Sequence, residues 1–307
     1  VLMKRILIIG GTLFTGRVFS ILASRTGEFE LHVVNRGRFP LGELDNVTEY
    51  KCDRHSRRMF ERIVPQLEFD AVIDFCAYNE GEVAPIVEAF SSRVRQYVLF
   101  STASVYDPTN RKIKEESDPI ISGDMPGGAE WDYVAGKIAL ERELIRAAKK
   151  TGMAYTILRP TFIYGPFNYA PREPWYIELI ARKHVVPVPI DATAHFNFVY
   201  VKDVARALMT LAGDERAYNE VFNLAGPEVV NYMRLMSDFE RYNGGSFEMR
   251  EVTVAEAHEE NIPFPFPLTE SDITSGEKFA RVFDFKYTPF SEGMENTFRT
   301  FYSLYTS

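Results

Sequence analysis

The sequence predicts a doubly wound α/β fold, a parallel sheet covered by helices on both faces, with a smaller, mostly helical lobe toward the C-terminus. Three observations predict it. Short unbroken apolar runs alternate with amphipathic stretches through the first half; the first run ends at a glycine loop that opens a helix; and 307 residues, 46% of them hydrophobic, supply a large core.

The elements follow in order. Lys4–Ile9 reads as the first strand and ends at Gly10-Gly11, and Phe14–Thr26 is a helix with Phe14, Val18, Ile21 and Leu22 on its apolar side. Leu31–Val34 is the second strand, followed by a turn-prone Gly37–Gly42 segment; Val47–Cys52 is a third and Ser56–Val64 a helix. Ala71–Phe75 and Gln96–Phe100 are further buried runs, separated by a helical Glu82–Phe90. In the second half Tyr155–Arg159 and Val221–Leu224 read as strands, Val204–Leu211 as a helix and Phe298–Tyr305 as a closing helix. Proline- and aromatic-rich pieces, Tyr169–Trp175 and Ile262–Pro267, mark the smaller lobe. The expected division is a dinucleotide-binding domain at 1–165 with about 196–228, and a substrate lobe at about 166–195 with 229–307.

Composition excludes a disordered or collagen-like chain. With 35 Lys and Arg against 43 Asp and Glu the formal charge is −8, which repels nucleic-acid phosphates. The densest basic group, Arg54, Arg57, Arg58 and Arg62, has helical spacing and reads as a solvated helix face. Cys52 and Cys76 are expected to be reduced thiols, and no metal site is expected. Val1-Leu2-Met3-Lys4 leads into a strand without a signal-peptide core, and no apolar stretch approaches the roughly 20 residues that span a bilayer. A cytoplasmic protein without a membrane partner is the expectation.

The loop Gly10-Gly11-Thr12-Leu13-Phe14-Thr15-Gly16 lies where backbone N–H groups at a helix N-terminus receive a pyrophosphate. The second strand runs out at Asn35-Arg36, a neutral and a cationic residue where an NAD site wants a carboxylate for the ribose hydroxyls. That favours NADP over NAD. Arg17 is placed to assist or to face solvent, and Asp53, after the third strand, to meet the adenine.

Tyr133-Val134-Ala135-Gly136-Lys137 puts a phenol and an ammonium four residues apart on one helix face. The Lys137 charge is expected to lower the Tyr133 pKa toward neutrality and let the phenol shuttle a proton. Upstream, Tyr97-Val98-Leu99-Phe100-Ser101-Thr102-Ala103-Ser104-Val105-Tyr106 is an apolar strand ending in hydroxyls. Downstream, Leu158-Arg159-Pro160-Thr161-Phe162-Ile163-Tyr164-Gly165-Pro166 leaves another strand at the same edge.

On these motifs, with Phe198-Val199-Tyr200-Val201-Lys202-Asp203-Val204-Ala205 and Phe222-Asn223-Leu224-Ala225-Gly226, the chain resembles the extended short-chain dehydrogenase/reductase family, the NAD(P)-dependent epimerase/dehydratase group. The resemblance implies a Rossmann fold, catalysis by Thr102, Tyr133 and Lys137, and a hydride-transferring oxidoreductase or epimerase. Its substrate would be a hydroxyl or keto group of a sugar-like or nucleotide-sugar molecule. It implies cofactor contacts at Gly10, Thr12, Leu13, Phe14, Thr15, Gly16, Asn35, Arg36, Asp53, Cys76, Ala77, Lys137 and Pro160, and a homodimer through the helices at Glu82–Phe90 and Tyr133–Ala148.

Four departures stand out. Leu13 replaces the middle glycine of the family's loop, and Ala103-Ser104 replaces the Asp-Glu pair of its dehydratases, so 4,6-dehydration lacks its acid and base. Phe162 and Phe196 stand where nucleotide-sugar epimerases carry Asn and a diphosphate-binding Arg, for which Arg172 or Arg182 are the available substitutes. The loop also resembles a subgroup that includes chloroplast stem-loop RNA-binding proteins, so an RNA-binding relative without redox turnover is the alternative; the catalytic residues and the net charge oppose it. His195 reads as a packed or surface residue and Trp131-Asp132 as candidates for the pocket mouth. Glu256, His258, Glu259 and Glu260 read as a solvated helix face.

Overall fold

The computed structural model describes residues 3–108 and 113–307; the expectation on Val1-Leu2 lies outside the described residues. Among them, seven parallel strands form the central sheet. In chain order the first five are β1 (Lys4–Ile9), β2 (Phe29–Asn35), β3 (Val47–Lys51), β4 (Phe69–Asp74) and β5 (Val94–Phe100). Across the sheet the order is Glu220–Leu224, Ala154–Pro160, β5, β4, β1, β2, β3.

Strand alternation explains why the inner strands read as unbroken apolar runs. Ile6 and Ile8 of β1 face one helical layer and Leu7 and Ile9 the other, and all four are buried. One layer is α1 (Phe14–Thr26) with Val201–Leu211; the other is α2 (Arg57–Ile63), α3 (Ala84–Phe90) and α4 (Ala129–Thr151). β3, at the sheet edge, is largely exposed. Chain direction away from β1 reverses between β2 and β4, so the carboxyl ends of β1 and β4 flank the crevice where such sheets bind ligands.

The α1 face differs from the expected one. Thr15, Val18, Phe19 and Ala23 are buried, while Ile21 and Leu22 are only half-buried. The helix is pressed against Val201–Leu211 as well as the sheet, so its small residues face inward and the apolar period misleads. The closing helix starts at Phe290, earlier than the expected Phe298.

The lobe packs Glu173–Ala181, Tyr232–Asn243 and Phe290–Thr306 together, with short strand pairs between them. Its aromatic core, Tyr176, Phe239 and Phe298 among others, is continuous with the α1 face of the sheet. Two strands that the sequence does not announce as such, Phe162–Tyr164 and Phe196–Tyr200, pair in parallel and carry the chain out of the sheet into this lobe.

A buried ionic network locks three pieces of the site edge together. Arg159, at the end of Ala154–Pro160, pairs with Glu141 of α4 at 2.6 Å, and Ser101, just past β5, donates to the same carboxylate at 2.5 Å. Arg159 also lies over the Tyr106 ring. Replacing Glu141 by Ala strands a buried guanidinium, and urea unfolding is expected to show a loss of about 3–5 kcal/mol. A loss below about 1 kcal/mol would show that the pair is not what fixes this edge.

Candidate active site

The carboxyl ends of β1, β2, β4, β5 and Ala154–Pro160 open onto one cavity of about 820 Å³. Gly10, Thr12, Leu13, Phe14, Thr15 and Gly16 line it, as do Asn35, Arg36, Asp53, Cys76, Pro160, Thr102, Tyr133 and Lys137. Ala77 does not line it: it is fully buried and serves the site through its carbonyl.

The glycine loop is shaped by close approach. Gly10 and Gly11 have φ of +80° and +71°, and a Cβ on Gly16 would lie 2.2 Å from the Gly11 Cα. No side chain caps the N-terminus of α1 and no carboxylate stands in its first turn; the Gly16 and Arg17 N–H groups donate to the Leu13 carbonyl, which leaves those of Phe14 and Thr15 for a ligand. Phe14 holds φ of +37°, a conformation that costs a non-glycine residue about 1–3 kcal/mol. Leu13, in the middle-glycine position, is the extended N-cap and is 45% exposed on the cavity wall. Arg17 neither assists nor faces solvent freely: it donates to the carbonyls of Thr12 (3.0 Å) and Pro40 (2.8 Å), tying the loop to the segment after β2.

At the end of β2, the Asn35 amide braces its own turn, donating to Glu49 at 2.7 Å and accepting from the Gly37 N–H at 2.6 Å. Arg36 and Arg38 stand on the cavity wall, and Arg36 is exposed. Asp53 is exposed and pairs with His55; hydrogen bonds from the backbone and ring of His55 hold its pKa low. Arg54 corrects the expectation of a solvated face. It precedes α2, turns inward, pairs with fully buried Asp74 at 2.7 Å and donates to the Glu82 carbonyl. Tyr97 donates to the other Asp74 oxygen at 2.5 Å. Cys52 and Cys76 are free thiols; burial, with the Asp74 charge, pushes the Cys76 thiol up to about 12, leaving it inert.

Lys137 is 2% exposed, and its ammonium donates to the carbonyls of Ala77 (2.7 Å) and Phe100 (2.8 Å). Gly136 permits this approach: a Cβ there would meet the Tyr78 carbonyl oxygen at 2.2 Å. Burial lowers the Lys137 pKa to about 8. Tyr133, one turn earlier, is 39% exposed at the cavity. Its pKa is raised, not lowered, because desolvation outweighs the opposing charge. The charge that most lowers it is that of Arg172, with a smaller effect from the Thr102 hydroxyl; Lys137 is turned toward the two carbonyls instead.

The lobe side of the cavity is formed by Phe162, Asn168, Tyr169 and Arg172. Of the two candidate cations, Arg172 is there, 5.3 Å above the Phe162 ring, while Arg182 pairs with Glu178 at 2.8 Å outside the cavity. Phe196 is fully buried among Phe162, Phe198, Tyr232 and Phe266. Glu130 lines the mouth, whereas Trp131, Asp132 and His195 do not. Glu256 completes a capping box with Thr253, and Glu260 pairs with Arg250. Tyr78, Tyr169 and Arg54 carry no assignment to the site in the sequence; each reaches it from a loop, as does Arg172, one of the two substitutes the sequence offers.

Residues 6–225 match the family model of the NAD dependent epimerase/dehydratase family. Over 246 residues the chain is 30% identical to the chloroplast stem-loop binding protein of 41 kDa b of Arabidopsis thaliana, covering 75% of this chain and 60% of that one. It is 24% identical over 184 residues to UDP-D-apiose/UDP-D-xylose synthase 2 of the same plant, covering 50% and 47%. The chain thus spans 60% or less of the length of these curated relatives. Among solved structures it resembles a putative epimerase from Burkholderia cenocepacia (TM-score 0.80, 18% identity, 98% of this chain and 99% of that one). It also resembles the UDP-glucuronic acid 4-epimerase of Bacillus cereus in complex with NAD (TM-score 0.79, 16%, 98% and 100%). Among the described residues, no helix is long and apolar enough to cross a membrane.

The low Lys137 pKa has a stability signature. Between about 8 in the folded protein and 10.5 unfolded, the unfolded chain binds the extra proton, so this group adds stability as pH rises through that window. From pH 8 to 10 the wild type should gain about 2–3 kcal/mol relative to Lys137→Met in parallel urea titrations. A constant difference would show an ordinary, solvated lysine.

Proposed function

The chain belongs to the NAD dependent epimerase/dehydratase family, and from that premise we propose that it is an NADP-preferring oxidoreductase or epimerase acting on a hydroxyl or keto group of a sugar-like molecule. One observation carries the reading: the uncapped glycine loop, Thr102, Tyr133 and Lys137 line a single cavity at the sheet's switch point. The residues fit the dinucleotide, since the α1 N–H groups can receive its pyrophosphate and Arg36 a 2′-phosphate. When bound, its nicotinamide supplies the hydride acceptor or donor.

The chain's own residues do the rest. With its pKa raised by partial desolvation at the cavity wall, Tyr133 keeps its proton and begins as the acid, releasing it from Oη to a developing alkoxide; in the reverse direction it takes the proton back. Arg172 eases that release, Thr102 orients the reacting oxygen, and Lys137 fixes α4 to the strand ends and would hold the cofactor ribose with its remaining donor. Ala103 and Ser104 leave no acid–base pair for a 4,6-dehydration. The relatives with epimerase and UDP-sugar synthase names support a sugar-like substrate. Association as a homodimer through α3 and α4, and a cytoplasmic setting, belong to the same proposal.

A second reading, RNA binding without turnover, is favoured by the stem-loop binding protein and opposed by the charge of −8. Tight, steeply salt-dependent gel shifts with stem-loop RNA would support it over the enzyme.

Tyr133→Phe is expected to lower turnover by at least about 100-fold while NADPH affinity, read by nicotinamide fluorescence, stays within a few-fold. Arg36→Ala should weaken NADP binding about tenfold or more and leave NAD nearly unchanged. Equal wild-type affinity for the two cofactors would contradict the preference.

A further inference from the structure

We propose that the substrate is a compact hydroxylated molecule bearing one anionic group, a phosphate monoester or a carboxylate, which Arg172 holds against Phe162, and that it is not a nucleotide-diphosphate sugar. This rests on the enzymatic reading above and narrows its substrate class.

Charge is the first argument. Arg172 is the cation that the lobe brings to the cavity, and among the described residues it makes no ion pair. Phe196, at the position for which the family resemblance implies a diphosphate-binding Arg, is sealed in the aromatic core and does not line the cavity. Glu130, one α4 turn before Tyr133, adds a carboxylate at the cavity mouth. One guanidinium fork matches one phosphate or carboxylate group, and the second phosphoryl group of a diphosphate would be left without a cation.

Reach is the second. Beyond Tyr164 the chain contributes to the cavity wall through a short stretch, Asn168, Tyr169, Ala170 and Arg172, so the wall there is a rim and not an extended trough. That stretch is held in place: the fully buried Glu173 carboxylate accepts from the Gly165 N–H and the Asn168 amide at 3.1 and 2.8 Å. Arg172 and Tyr133 line the same cavity, and the Arg172 charge is the one that most lowers the Tyr133 pKa. Phe162, half-buried on the cavity wall beside the guanidinium, supplies apolar surface for the C–H side of a small ring or chain.

The test uses one hexose in four forms. NADPH binding is measured first, on the wild type and on Arg172→Ala and Arg172→Lys. Glucose 6-phosphate, glucuronate, glucose and UDP-glucose are then titrated calorimetrically into the cofactor-loaded proteins. One of the two compact anions is expected to bind at least about tenfold tighter than glucose or UDP-glucose, and the tighter identifies phosphate or carboxylate as the group. Arg172→Ala should remove that tenfold advantage with NADPH affinity unchanged, and Arg172→Lys should recover part of it. The proposal is overturned if UDP-glucose binds tightest, if glucose binds as well as the anions, if neither anion binds, or if Arg172→Ala changes nothing. Failure of NADPH to bind the wild type would sink the enzymatic reading, and this proposal with it.

Discussion

The Lys137 ammonium, sunk between the carbonyls of Ala77 and Phe100, is the contact on which the rest of the site depends. It ties the end of β5 and the segment after β4 to α4, and so places Tyr133 one turn away over the cavity. A buried cation is costly unless its donors are used. Here two go to backbone oxygens that the sheet itself positions, and Gly136 lets the helix come close enough for this. Arg159, Glu141 and Ser101 repeat the device deeper in the same edge.

This arrangement changes the role of the lysine. Spent on carbonyls and stripped of water, its charge is not the one that lowers the Tyr133 pKa. Arg172 takes that part from the lobe, and in the proposed function it joins acid strength at the phenol to substrate recognition in one side chain. The loop on the other side of the cavity is held by different means: left-handed glycines, a strained Phe14 and the Arg17 brace. Binding and chemistry therefore rest on separate scaffolds that meet at the sheet's switch point.

Much of this was legible in the sequence. The inner strands bury both faces and so appear as unbroken apolar runs, and the Tyr133–Lys137 spacing fixes one helix face wherever that helix lies. The rest depended on what the elements pack against. The α1 face was misread because small residues face a second helix there. Arg54 was grouped with helical arginines although α2 begins at Arg57, and its partner Asp74 lies in a strand 20 residues away. The pairing of Phe162–Tyr164 with Phe196–Tyr200 joins short, remote segments that carry no local signal. The direction of the Tyr133 shift required knowing where the Lys137 ammonium points, which spacing alone does not give.

The central claim is that this cavity holds a nicotinamide dinucleotide with its reactive ring beside Tyr133. A crystal structure of the protein grown with NADP tests it most directly. The account predicts pyrophosphate density at the N–H groups of the Gly10–Thr15 loop, the 2′-phosphate at Arg36 and the nicotinamide facing Tyr133. A dinucleotide bound elsewhere, or with its nicotinamide turned away from Tyr133 and Thr102, would contradict it.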